Sequence, residues 1–497
     1  MVKKAAIIPV MALLFVMLAS CDLSPDLNED LLPDLEEGFF YAQNITDGKF
    51  YVLEAEILYE GEKCVIWAEI GSGVTEEQAK NIAREYDTKI RQKIVDTFGK
   101  KDFDVEYRNE IYHFSDILDY ANWLVGGDED DRKLTILLLD IKDGFKDPEE
   151  DSYVAGYFYS VDFLRKGRNR INNRNYYSNG RDMMYVDTDP GLKEDTIQAY
   201  ATFAHELQHL VNYVTTVLIG RDKAMDIWIN EGLSAYAEYL YLEKNPEEKC
   251  LWMNDSRNTV KTGNNFFVWG NHGNEPLAIM DDYATVYLFF RWLYLQADAG
   301  LQSRIFHDII TSSHYDYRAV TSAAGKDWEN LLRTWFAANY DPKNAVYGYK
   351  NDLYLQEGRG SNYPMYKGIR VTPIGDRSIS LYPGEGVYSI INNDFTPAVS
   401  GTHIRYAGLS NNTNVINTSS PYSGNVLLTF NANTNNGAGR ENGYLTGVSP
   451  SITTSPTASR TAADNARSAG AGQTRPFVID AWDMLGRNQD VPIRVWR

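Results

Sequence analysis

The sequence has three cysteines in 497 residues, Cys21, Cys64 and Cys250, so no disulfide framework holds this fold. Bases are outnumbered, 48 against 68 acids, for a formal net charge of −20. That sign excludes nucleic acid as the main partner, because phosphate binding draws on clustered Lys and Arg. No long apolar run follows the first 20 positions, so a polytopic membrane protein is excluded. No Gly-rich segment ends in Lys-Ser or Lys-Thr, so a phosphate loop is missing too. What is present is ordinary for globular chains: 43% hydrophobic and 23% charged residues, with length for two or three domains.

The first segment is set apart from the fold. Lys3 and Lys4 precede an apolar run from Ala5 to Ala19, broken by Pro9 and too short to span a bilayer comfortably. It ends in Leu18-Ala19-Ser20-Cys21 and resembles a bacterial lipoprotein signal. The resemblance implies cleavage before Cys21, acylation of its thiol and amine, and a lipid-anchored protein of the cell envelope. An ordinary secretory signal with a chance cysteine is the other reading. Residues 22–37 carry acids, two prolines and no base, the composition of a solvated tether that repels anionic lipid.

Residues 38–190 read as mixed α and β. Two β-like runs, Phe50–Tyr59 and Cys64–Ile70, flank Glu60-Gly61-Glu62 as a hairpin. Thr75-Glu76-Glu77-Gln78 opens a capped helix running through Ile82, Tyr86, Ile90 and Ile94 to Phe98-Gly99. Leu134–Ile141, Val154–Val161 and Met183–Asp187 are strand candidates. Residues 191–355 turn helical, with spans near 192–218, 226–242, 280–297, 301–311 and 328–338. Residues 356–497 form a candidate all-β module. Only Arg440, Glu441, Arg460, Asp464 and Arg467 are charged between Ser410 and Thr474, where Asn, Thr, Ser and Gly dominate.

The chemistry concentrates in Ala201-Thr-Phe-Ala-His205-Glu206-Leu207-Gln208-His209. On a helix, His205 and His209 lie one turn apart on one face, close enough to share a zinc ion. Phe203, Leu207, Leu210, Val214 and Val217 form an apolar stripe on the opposite side, leaving the histidines to face a cleft. Glu206 beside them is suited to take a proton from water and pass it to a leaving amine. Trp228-Ile229-Asn230-Glu231-Gly232 begins another amphipathic helix 22 positions after His209, enough chain to return a carboxylate to the histidines. Two histidines, a glutamate and an open water position make a catalytic zinc site; a structural one needs a fourth protein ligand, and none has the spacing.

His-Glu-x-x-His followed by Asn-Glu-Gly resembles the gluzincin metallopeptidases, and the wider texture from about Ile82 to Ala338 resembles the hyicolysin-like bacterial peptidases. The resemblance implies an α+β, thermolysin-like fold with a mixed sheet and a helical subdomain. It implies zinc held by His205, His209 and Glu231, with Glu206 as general base and acid. Thermolysin-like enzymes place an Asp four residues after the glutamate ligand, where this chain has Ala235. Glu238, seven residues on, matches the aminopeptidase-like spacing and is the candidate carboxylate behind a histidine. Gluzincins stabilise the oxyanion with a Tyr or His from a later helix. Tyr283 is the first candidate and Tyr287 the second.

His272 borders the cleft or lies in a solvated turn, Gly126-Gly127-Asp128-Glu129-Asp130-Asp131 lacks the full calcium-loop pattern, and Cys64 and Cys250 read as buried free thiols. The expected function is zinc-dependent endopeptidase action on protein or peptide substrates. No Gly-Ala-Met-Glu-Asn-like segment precedes the zinc helix to hold a free α-amine. The other readings are a zinc aminopeptidase and a surface-binding lipoprotein with a degenerate peptidase domain.

Overall fold

The structure is a computed structural model. It describes residues 31–126, 133–146, 153–171, 174–193, 196–221, 223–246, 249, 279–350, 352, 372–373, 378–391, 394–397, 400–411, 413–435, 438–444 and 476–477. The expected signal, Cys21, Gly127–Asp131, Cys250 and His272 lie outside them. Among the described residues no helix is long and apolar enough to cross a membrane.

The chain falls into two compact units: Met1–Met225 with Ala237–Glu243 and Ala469–Arg497, and Asp226–Tyr236 with Lys244–Ser468. The first is built on a sheet of β1 (Phe39–Gln43), β2 (Phe50–Glu60), β3 (Cys64–Glu69), β6 (Leu134–Leu139), β11 (Met183–Asp187) and β8 (Gly156–Phe158), in that spatial order. β3, β6 and β11 run parallel to one another at the centre, and β1, β2 and β8 are added by antiparallel pairs. β6 is fully buried, as its unbroken Leu-Thr-Ile-Leu-Leu-Leu run requires. The expected hairpin forms, with a bulge between Ile57 and Tyr59.

Thr75 and Gln78 close a reciprocal capping box on α1 (Glu76–Glu85). The helix continues through a π-turn at Tyr86–Ile90 into α2 (Arg91–Phe98), and Ile82, Tyr86, Ile90, Ile94 and Phe98 are all buried. β4 (Lys101–Tyr107), β5 (Glu110–Asp116) and α3 (Ile117–Leu124) follow, none of them expected from the sequence. The expected strand Val154–Val161 divides into β7 (Tyr153–Val154), β8 and a 3-10 turn at Ser160–Phe163, and a separate hairpin pairs β9 (Gly167–Ile171) with β10 (Arg174–Ser178).

A buried polar network closes the open edge of β1. Asn179 accepts from the Tyr41 amide at 2.9 Å and donates to its carbonyl at 3.0 Å, standing in for a further strand. Asp162 in turn accepts from the Asn179 amide and the Tyr185 hydroxyl, each at 2.6 Å. Asn179→Ala keeps the backbone bond to Asp162 but leaves the Tyr41 N–H and C=O without this partner; unfolding titration should show a loss of about 3 kcal/mol.

Burial pushes the Asp162 carboxyl up to about 7, more than its hydrogen bonds from Asn179 and Tyr185 offset. The folded chain therefore holds this proton more tightly than the unfolded one. The stability it contributes is fully present below about pH 4 and is lost as pH rises through about 7. Comparing pH–stability curves of the wild type and Asp162→Asn isolates this group; the wild type should fall by up to about 1.4 kcal/mol per pH unit across that window relative to the variant.

The acidic stretch expected to run free to Glu37 is docked from Leu32 onward. The Tyr41 hydroxyl donates to the Pro33 carbonyl at 2.6 Å, and the Leu32 amide donates to the Tyr177 hydroxyl at 3.1 Å. Apolar Leu32 and Leu35, both half-buried between the acids, supply the contact that a purely charged tether lacks.

Two helices carry the sequence motifs, α4 (Thr196–Tyr213) and α5 (Ile227–Leu242), and α5 passes through the boundary between the compact units. In the second unit α6 (Ile279–Gln296), α7 (Ala299–Gln302), α8 (Ile305–Thr311), α9 (Tyr317–Ala324) and α10 (Trp328–Tyr340) precede the remaining strands. A four-stranded sheet forms from β12 (Thr372–Pro373), β14 (Gly386–Ile390), β16 (Val426–Asn431) and β15 (Ile404–Leu409), and β13 (Ser378–Leu381) pairs with β17 (Glu441–Tyr444).

The expected boundaries at 190/191 and 355/356 are not those of the compact units. The zinc-motif helix α4 belongs with the N-terminal sheet, and β12–β17 share a unit with α6–α10, while the strand Pro476–Phe477 pairs parallel with β7 in the first unit. The reason is packing on α10: a Cβ at Gly386 would lie 2.7 Å from the Phe336 ring, the Tyr388 hydroxyl donates to the Phe336 carbonyl at 2.9 Å, and Arg405 Nε donates to Glu329 at 2.7 Å.

Candidate active site

The chain enters α4 from the end of β11 by a turn that Asp187 organises. Its carboxylate accepts from the Ile141 amide at 3.1 Å and the Gly191 amide at 2.8 Å, and burial raises its pKa to about 7. α4 then runs through the core. Phe203, Leu207, Leu210 and Val214 are fully buried, as their stripe requires, but the helix face opposite is covered as well. His205, Glu206, Gln208, His209 and Asn212 are each at most 3% exposed, so the side expected to face a cleft is a buried polar face.

His205 and His209 stand with ring centroids 4.7 Å apart at an interplanar angle of 71°. Together with Glu231 on α5 they offer three ligand atoms within 4.8 Å of one another, all from buried residues. Nε2 of each histidine and both Glu231 carboxylate oxygens are shielded from solvent. Glu238, two turns beyond Glu231, lies on the other side of His205: its Oε1 is 2.7 Å from His205 Nδ1, with side chains 4% and 1% exposed. A carboxylate there holds the imidazole proton on Nδ1 and leaves the Nε2 lone pair for a metal.

Two imidazoles and one carboxylate are a donor set that zinc takes with a position left open. Ligand atoms of a tetrahedral zinc stand about 3.3 Å apart, within the observed limit. The residues present fit the metal.

Two glycines, Gly156 and the Gly232 of Asn-Glu-Gly, set distances here. A Cβ at Gly156 on β8 would lie 2.8 Å from the Tyr185 carbonyl, 3.1 Å from Thr202 Cγ2 and 3.7 Å from Glu206 Cγ, so only glycine lets β8 lie this close to α4. A Cβ at Gly232, next to Glu231, would lie 2.2 Å from the Phe290 ring, so α5 and α6 also meet across a glycine. Such close approaches leave no periodic signal in a sequence.

Tyr283 lies in the second turn of α6 and is 6% exposed. Tyr287, one turn on, donates its hydroxyl to Asn245 Oδ1, which commits it away from an oxyanion. Ala235 is fully buried. Arg291, also missed from sequence, is 3% exposed and forks onto Asp352 through Nε at 2.7 Å and a terminal nitrogen at 2.6 Å. His113 and His403 face carboxylates of Asp104 and Glu441. Cys64 is a buried free thiol whose pKa is pushed up by burial and by the Asp87 carboxylate.

No family model matches the chain. It is 28% identical over 278 residues to the neutral metalloprotease ShpI of Staphylococcus hyicus. The aligned part is 55% of this chain and 54% of that protein, so the chain spans about half the length of the curated relative it matches. The likeness supports a metallopeptidase family. A metallopeptidase has a metal cofactor, typically zinc, and proteins or peptides as substrates.

Proposed function

We propose that this chain is a zinc-dependent endopeptidase of the gluzincin type, anchored by lipid at Cys21 in a bacterial cell envelope. The convergence of His205, His209 and Glu231, with Glu238 behind His205, carries this reading. Those three residues hold the metal, which supplies Lewis-acid polarisation of the scissile carbonyl and lowers the pKa of water. Glu206 takes a proton from the attacking water and delivers it to the departing amine. The Tyr283 hydroxyl donates a hydrogen bond to the oxygen on which negative charge develops. Burial of the polar face of α4 keeps bulk water from competing for these groups.

The test is hydrolysis of casein and of N-terminally blocked peptides by residues 22–497, before and after chelation and zinc restoration. Turnover that survives chelation overturns the zinc reading. Cleavage confined to unblocked peptides makes the enzyme an aminopeptidase. Stoichiometric zinc with no turnover on any peptide favours a binding lipoprotein. For the anchor, Cys21→Ser should release the protein from membranes, and retention there overturns the lipid reading.

A further inference from the structure

The −20 charge conceals a segment of the opposite sign. From Leu164 to Gly180 the chain carries Arg165, Lys166, Arg168, Arg170 and Arg174 and no acid, five cations in 17 residues against 48 in 497 overall. These residues build the β9–β10 hairpin. All five side chains are exposed, and among the described residues Arg165, Lys166, Arg168 and Arg170 have no ion-pair partner. Arg168 and Arg170 are two positions apart on β9 and project from one face; across the ladder they stand opposite Tyr177 and Asn175. In an acidic protein, four cations without an ion-pair partner, on β9 and the turn leading into it, constitute a surface for an anionic partner.

The chain itself points to which partner. The Tyr177 hydroxyl opposite Arg168 receives the Leu32 amide, so the N-terminal stretch is pinned to this hairpin. About eleven peptide links separate Cys21 from the pinned Leu32 and reach at most about 40 Å. An acyl group on Cys21 therefore keeps the hairpin within that distance of the bilayer. Asp22, Asp26, Glu29 and Asp30 in the link repel anionic lipid, as do Asp34, Glu36 and Glu37 beside the hairpin base. The cations are the local groups that attract it.

We propose that the β9–β10 hairpin is the membrane-facing surface of the protein and binds anionic phospholipid headgroups through Arg165, Lys166, Arg168 and Arg170. Each basic side chain near such a surface strengthens partitioning about fivefold, within a Debye length of about 8 Å at physiological salt. The contact fixes which face of the first compact unit meets the bilayer. The acyl anchor supplies attachment; the hairpin supplies orientation.

The experiment uses residues 22–497 without acyl chains, a form that keeps every described residue. Vesicles of phosphatidylcholine alone and with 30% phosphatidylglycerol are sedimented with the wild type, Arg168→Glu/Arg170→Glu, and Arg165→Gln/Lys166→Gln. The expected result is at least tenfold stronger partitioning onto the anionic vesicles, falling with salt, lost in the charge-reversed variant and reduced in the neutralised one. Circular dichroism confirms that the exposed substitutions leave the fold intact. Equal binding to both vesicle types, or unchanged binding by both variants, overturns the proposal. So does displacement by millimolar inorganic phosphate at constant ionic strength, which marks a free-phosphate site. If vesicle binding is unchanged but the charge-reversed variant loses cleavage of acidic peptides, the hairpin serves the substrate instead. The proposal rests on the lipid-anchor reading for its geometry, yet the assay uses neither acyl chain nor turnover, so the two fail separately.

Discussion

Glu206→Gln should lower kcat for peptide hydrolysis by about 10²–10⁴-fold with bound metal unchanged. Glutamine keeps the shape of the side chain, which is fully buried on α4 between the two histidines in sequence. It removes the one property the mechanism needs, a carboxylate that can accept a proton and return it. The histidines and Glu231 are untouched, so metal content by elemental analysis should stay stoichiometric. Because both the attack on the carbonyl and the expulsion of the amine need that proton, kcat should fall with little change in KM. A variant retaining a tenth or more of wild-type kcat would show that Glu206 is not the general base.

The second large effect is on metal affinity. Glu238→Gln should weaken zinc binding by about 10–100-fold, measured by competition with a chelator of known affinity. Glu238 and His205 meet at 2.7 Å with side chains 4% and 1% exposed, so water cannot replace the carboxylate. The amide carries no charge to raise the basicity of the imidazole. It also offers a donor as well as an acceptor, so the proton is no longer confined to Nδ1. His205 would then spend part of its time with Nε2 protonated and unable to bind metal. Unchanged zinc affinity in this variant would reduce the Glu238 contact to packing.

These effects differ in how visible their causes are along the chain. His205, Glu206 and His209 occupy one helical turn, and an i, i+4 spacing states its own geometry. Thr75 and Gln78 announce their helix in the same local way, and β6 declares its burial by an unbroken apolar run. The β4–β5 hairpin does carry a local signal, Phe103, Val105 and Tyr107 alternating with exposed Asp102, Asp104 and Glu106, which is the period of a half-buried strand. Gly156 escaped because nothing near it in sequence shows that Thr202 and Glu206 pack across from it. Asn179 escaped because a polar residue in a Ser-Asn-Gly turn looks solvated, whereas it closes the edge of β1 by bonds to a residue 138 positions away.

The sequence by itself determined the candidate metal ligands and base: the residue types at 205, 206, 209 and 231 and the helical spacing that aligns the first three. It also determined the sign of the overall charge and the runs of β2, β3, β6 and β11. Only the tertiary structure decided that the polar face of α4 is buried, that Glu238 rather than solvent backs His205, and that the acidic N-terminal stretch is docked. It alone set the basic β9–β10 hairpin beside that stretch. The reason is range: helix and strand periodicity are encoded within a few residues, whereas burial and charge juxtaposition depend on which distant segments the chain brings together.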